Sequence, residues 1–174
     1  GLGLDHTMSE VIAADLRERV AGDKSNKELF IDSLKASGED NNAKLIATYF
    51  NAAGIPARYV SPKEGLVVND LPERTYALPE AYDNLSSLKD TEEVVIFPGF
   101  FGYTKDGILR TFDRGGSDIT GSILASAVGA DLYENFTDVD CVFSANPKVI
   151  NSPAEIKEIT YREMRELSYS MMKR

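Results

Sequence analysis

Apolar residues recur at helical spacing from the start of the chain. Met8, Val11, Ile12, Leu16 and Val20 share one face behind a Thr7-x-x-Glu10 capping box. A second box, Ser25-x-x-Glu28, predicts a helix through Leu29, Phe30 and Leu34. A third helix is expected after Gly38-Glu39, burying Leu45, Ile46, Tyr49, Phe50 and Ala53. It should stop at Gly54, with Pro56 just beyond. Strand-like segments follow at Ala57–Val60 and Leu66–Val68, then a short helix at Leu78–Leu88 that tolerates Pro79 in its first turn. Val94–Phe97 is an apolar run of the kind found in a buried, largely parallel sheet. Thr104–Gly107 reads as a tight turn before a strand at Ile108–Phe112. A small-residue helix over Ser117–Gly129, a strand near Leu132–Phe136, a loop and a last helix capped by Thr160-x-x-Glu163 complete the pattern. Helices alternating with short apolar strands predict an α/β layered sheet in a single domain.

Composition narrows the choice of partners. With 174 residues, 43% of them hydrophobic, the chain can bury a sizeable core. A net charge of −9 excludes a general nucleic-acid binder, which would carry a basic face. No apolar run approaches the roughly 20 residues of a membrane span. Cys141 is the only cysteine, which rules out an internal disulfide, suits a reducing cytosol and reads as a small buried hydrophobe. His6 is the only histidine; it has no ligand cluster around it and reads as a surface residue.

The candidate chemistry lies in Arg114-Gly115-Gly116-Ser117-Asp118, between a predicted strand and a predicted helix. Two glycines allow the backbone to approach a ligand without Cβ obstruction. The helix start offers unpaired N–H groups and a positive dipole end to an anion. A guanidinium beside that nest can grip a carboxylate through two parallel hydrogen bonds. Together these features point to a small anionic ligand, with Asp118 available to repel it, orient it or accept from it. The alternative is a glycine-rich turn with an incidental Arg114–Asp118 ion pair.

Phe112–Thr120, preceded by Pro98-Gly99-Phe100-Phe101-Gly102, resembles the aspartate-binding loop of aspartate kinases. Thr137-Asp138-Val139-Asp140, with Asn146-Pro147-Lys148, is similar to the nucleotide-binding segment of the wider amino-acid kinase family, and Gly38-Glu39 is a third anchor. The resemblance implies a three-layer α/β/α sandwich of the amino-acid kinase type. It implies transfer of the ATP γ-phosphate to the β-carboxylate of L-aspartate, giving 4-phospho-L-aspartate, the first step towards lysine, threonine and methionine. ATP and Mg²⁺ are implied with that activity, as are a cytoplasmic location and a homo-oligomeric full-length protein. No metal-holding side chain is assigned.

Residue by residue, the resemblance implies that Arg114 holds a substrate carboxylate, assisted by Gly115, Gly116 and Ser117. Glu39 would face the substrate ammonium, and Asp118 would be the catalytic aspartate. Taken alone, Glu39 reads more readily as a carboxylate at a helix N-terminus, stabilised by the dipole. Thr137 and Asp138 would contact adenine and ribose, with Phe143 and Lys148 completing the nucleotide site. Four positions depart from the family pattern. Phe143 stands for tyrosine, Lys148 for arginine, Cys141 for glycine and Asn146 for aspartate. If the backbone at Cys141 needs positive φ, strain of order 1 kcal/mol follows. Aspartate kinases open on a K-F-G-G-[ST] loop and continue into ACT regulatory modules, neither of which is in this sequence. Residues 1–174 are therefore expected to form part of one catalytic domain. Two further readings remain: another amino-acid kinase, or a non-catalytic module that binds an amino acid or nucleotide.

Overall fold

The computed structural model describes residues 4, 6–71, 74–113, 115–136, 141–145, 149–164 and 166. They fall into two compact units, Gly1–Asn135 and Phe136–Arg174. In the first, helix α1 (Thr7–Ala21) is capped at His6 with no side-chain cap bond, in place of the expected threonine box. Its apolar face is shallow: Ile12 is half-buried, while Val11, Leu16 and Val20 stay exposed.

Helix α2 runs unbroken over Lys27–Ala52, where the sequence predicted two helices. Asn26 caps it through bonds from the Glu28 and Leu29 N–H groups, while Ser25 turns back to Asp23. Gly38 does not break the helix, since an interior glycine costs only about 1 kcal/mol relative to alanine. The buried face is not the predicted apolar one. Asp32, Ala36, Asp40, Ala43 and Ala47 point inward at helical spacing, while Leu45, Ile46 and Phe50 are half-buried and Tyr49 and Ala53 exposed.

Charge pairing makes that polar face tolerable. Asp40 accepts from Arg19 Nη2 at 2.6 Å, from Lys44 Nζ at 2.8 Å and from the Tyr59 hydroxyl. Arg19 also donates to Asp15 at 2.8 Å and to the Ser33 carbonyl at 3.0 Å. Burial pushes the Asp15 carboxyl up, but hydrogen bonds from Arg19 and Asn41 outweigh it and hold the group below the ordinary value. A depressed folded value means stability that is present above the unfolded value and lost as pH falls through the folded one. Unfolding free energy should thus decline in acid from near the unperturbed aspartate value of about 3.9 downward, and Asp15→Asn should flatten that decline in urea titrations. At the alkaline end, burial and then the bond to Asp40 raise the Tyr59 phenol, so stability is lost as unfolded tyrosine ionises.

After α2 the chain turns at Gly54 (φ +81°) into β1 (Ala57–Tyr59), which pairs in parallel with β2 (Val94–Ile96). Val94 is 42% exposed, so this apolar run lies at an uncovered edge and is not fully buried. Residues 66–68 make only isolated bridges, Val67 to Tyr103 and Val68 to Ala77, in place of the expected strand. Helix α3 (Pro79–Leu85) begins on its proline as expected, and a 3₁₀ segment extends it over Ser86–Asp90. The Thr104–Gly107 turn joins β3 (Phe101–Tyr103), which the sequence reading missed, to antiparallel β4 (Leu109–Thr111). Helix α4 (Gly116–Val128) ends on Gly129 in the left-handed region. Leu66, Val68, Ala81, Leu85, Phe112 and Ile123 form the core that anchors α3 and α4. Residues 132–136 are irregular, without the expected strand.

The second unit contains a short antiparallel pair, β5 (Val142–Phe143) and β6 (Glu155–Ile156). The Thr160/Glu163 box forms as expected at its last helical turn. Apart from glycines, the described residues at positive φ are Phe100 and Ser152, so Cys141 carries no such strain. Among the described residues no helix is long and apolar enough to cross a membrane.

Candidate functional site

Three segments converge on one cleft. Helix α2 contributes Lys35, Gly38, Glu39 and Asn42; the other wall is Phe100 and Ser117, and the volume is about 430 Å³. Glu39 lies half-way along α2, so the alternative reading of it as a helix N-terminal carboxylate falls away. It is exposed on the cleft side, while its neighbour Asp40 is buried behind it. Helix α2 is also tied to the strand leading into the glycine loop. Thr111 Oγ1 donates to Asp32 Oδ1 at 2.9 Å, and Arg110 Nη2 reaches Glu28 at 3.1 Å.

The glycines are explained by contact and by handedness. Gly115 caps α4 at φ +81°, a conformation glycine adopts without a Cβ penalty. A Cβ on Gly116 would lie 2.8 Å from Phe112 Cβ and 2.9 Å from Phe100 Cδ2. One on Gly99 would lie 3.0 Å from the Ser117 Cα. Close approach of the 98–101 loop to the first turn of α4 thus requires both glycines. Between them Phe100 sits at φ +79°, which costs an L-residue about 1–2 kcal/mol. Strain of this kind concentrates at functional sites.

Of the residues named from sequence, Glu39 and Ser117 line the cleft together, with Gly115 and Gly116 forming the turn behind Ser117. Asp118 follows in the first turn of α4, and its Oδ1 accepts from Asn135 Nδ2 at 3.1 Å. Phe143 is half-buried on β5 in the second unit. Arg114, Thr137, Asp138 and Lys148 lie outside the described residues. Sequence reasoning gave no role to Lys35, Asn42, Thr120 or Asn135. Lys35 and Asn42 flank Glu39 at helical spacing, the one signal that could have found them. A second cavity, about 490 Å³, is bordered by Arg19, Phe30 and Tyr103 and contains none of the expected site residues. Among the described residues no three His, Cys, Asp or Glu side chains cluster to hold a metal ion.

An α/β unit with a glycine-rich loop feeding a helix N-terminus beside a carboxylate is an architecture suited to a small zwitterion. Residues 3–174 match the model of the amino acid kinase family, and the chain belongs to that family. It is 57% identical over 170 residues to aspartokinase 3 of Bacillus subtilis, covering 97% of this chain and 37% of that protein. Identity to the aspartate kinase of Pseudomonas fluorescens is 30%, over 88% of this chain and 38% of that one. The structure of E. coli aspartokinase III in complex with aspartate and ADP (R-state) superposes with a TM-score of 0.76. That match is at 27% identity, over 93% of this chain and 36% of that one. Aspartate kinase from Clostridium acetobutylicum gives a TM-score of 0.63 at 36% identity, covering 79% and 30% of the two chains. The chain therefore spans a little over a third of the length of the curated relatives it matches.

Proposed function

We propose that this chain is part of the catalytic domain of an aspartate kinase, and that its first unit carries the amino-acid half of the site. The observation that carries the reading is that Glu39 and Ser117 line one cleft, with the glycine turn directly preceding Ser117. The substrate is bipolar, with one ammonium and two carboxylates. Glu39 takes the ammonium; Arg114, the Gly115–Gly116 backbone and Ser117 take a carboxylate. The reacting β-carboxylate is ionised at neutral pH and needs no general base. One of its oxygens attacks the γ-phosphorus of ATP, the bond from phosphorus to the bridging oxygen breaks, and ADP leaves with that electron pair. Catalysis then rests on alignment and on positive charge around the transferred group. Asp118, held by Asn135, orients the reacting end.

Thr137, Asp138, Phe143 and Lys148 are proposed to hold the nucleotide, with Lys148 supplying charge to phosphate. Mg²⁺ characteristically keeps several waters and phosphate oxygens. It is assigned to the nucleotide and to no side chain here. The setting proposed is the cytoplasm, in a homo-oligomer.

Arg114→Ala tests the reading most simply in a kinase assay on a polypeptide containing this chain. The KM for aspartate should rise by about 10- to 150-fold, the equivalent of a lost charge-assisted hydrogen bond, with the KM for ATP nearly unchanged. Arg114→Lys should recover only part of the loss, because a point charge lacks the fork. Equal rises for both substrates would assign Arg114 to folding.

A further inference from the structure

Phe100 has both backbone polar groups captured. Its N–H donates to Thr120 Oγ1 at 3.1 Å, and its carbonyl accepts from the Phe112 N–H at 2.7 Å. Thr120 Oγ1 in turn donates to the Gly116 carbonyl at 2.9 Å. That hydroxyl is 1% exposed by residue and has its one proton and one lone pair committed. A helical threonine commonly bonds the carbonyl four residues back. Such a bond accounts for Gly116 but not for the capture of a loop amide twenty residues upstream.

The two captured segments together form the wall opposite α2. Phe100 and Ser117 line the cleft, and a Cβ on Gly116 would meet the Phe100 ring and Cα at 2.9 and 3.2 Å. Phe100 must keep its left-handed conformation for the loop to lie this close to α4. We infer that Thr120 is a positioning residue of the amino-acid site. Its hydroxyl holds Phe100 in that conformation and joins the 98–101 loop to the first turn of α4 as one rigid wall. The assignment to an amino-acid ligand rests on the aspartate kinase reading; the hydroxyl clamp itself does not.

Thr120→Val keeps the shape and removes both bonds, whereas Thr120→Ser keeps the hydroxyl. Amide hydrogen exchange of the ligand-free chain reads the clamp, and a titration with L-aspartate followed by NMR reads its consequence. Thr120→Val should speed exchange at Phe100 by about tenfold or more while leaving Ile123 and Leu124 protected, and should weaken aspartate about tenfold. Thr120→Ser should restore both to within about threefold. Unchanged exchange at Phe100 overturns the inference. Faster exchange with wild-type aspartate affinity overturns the positioning role, and uniform acceleration through α4 marks a purely structural residue. A wild-type chain that ignores aspartate, together with a freed Phe100 in Thr120→Val, sinks the substrate reading and upholds the clamp.

Discussion

Asp40→Ala should lower the unfolding free energy of the chain by about 3–5 kcal/mol, the usual effect of removing one partner from a buried ion pair. The Asp40 side chain is 7% exposed, and Arg19 beside it is 13% exposed. Deleting the carboxylate strips Arg19 of one of its two acids and leaves Lys44 and the Tyr59 hydroxyl without their short contacts. Asp40→Asn keeps an acceptor and should cost less. The exposed Lys105–Glu80 pair provides the contrast: solvent screens it, and Glu80→Ala should leave the unfolding curve close to that of the wild type. Urea-induced unfolding of the three variants checks the ranking. A loss below about 1 kcal/mol for Asp40→Ala would mean that the network does not hold α2 in place. Its relevance to the site is direct, because Asp40 anchors the turn of α2 that presents Glu39 to the cleft.

Glu39→Gln should weaken L-aspartate by about 10- to 150-fold and leave succinate as poor a ligand as before. A carboxylate facing an ammonium makes a charge-assisted bond, and such bonds typically contribute about 1.5–3 kcal/mol. Succinate lacks the ammonium and has nothing to lose. Glutamine preserves the helix propensity and the size of the side chain, so a folding defect is not expected from an exposed mid-helix position. Isothermal titration of both ligands against both proteins separates the outcomes. Unchanged aspartate affinity would remove Glu39 from recognition; a parallel loss for succinate would make it a general determinant of cleft shape.

The helix ends were legible where local chemistry sets them: Gly54 with Pro56, Pro79 opening α3, and the Thr160/Glu163 box. The continuity of α2 was not legible. Gly38 reads as punctuation in sequence, and the face that α2 buries is made of aspartates and alanines, whose burial depends on cations from α1 and from α2 itself. A search for apolar periodicity looks straight past such a stripe. Strand β3 was hidden because Phe101-Gly102-Tyr103 becomes a strand only through β4 and the Val67 bridge. Residues 132–136 carry three large apolar side chains, Leu132, Tyr133 and Phe136, yet strand formation needs a pairing partner, and the composition alone does not supply one.

The glycine turn could be read because glycines advertise close approach, and Gly99 and Gly116 do meet Ser117 and Phe100. The left-handed Phe100 and the two hydrogen bonds of the Thr120 hydroxyl could not. Both are products of two loops meeting in space, and neither leaves a spacing signature in the sequence.

The central claim is that the cleft between α2 and the glycine turn binds aspartate. An NMR titration of the 174-residue chain with L-aspartate, followed at the backbone amides, tests it most directly. Saturable shifts should concentrate at Gly38, Glu39, Phe100 and Ser117, and succinate at equal concentration should fail to produce them. Saturation centred instead on Arg19, Phe30 and Tyr103, or an identical response to succinate, would contradict the account.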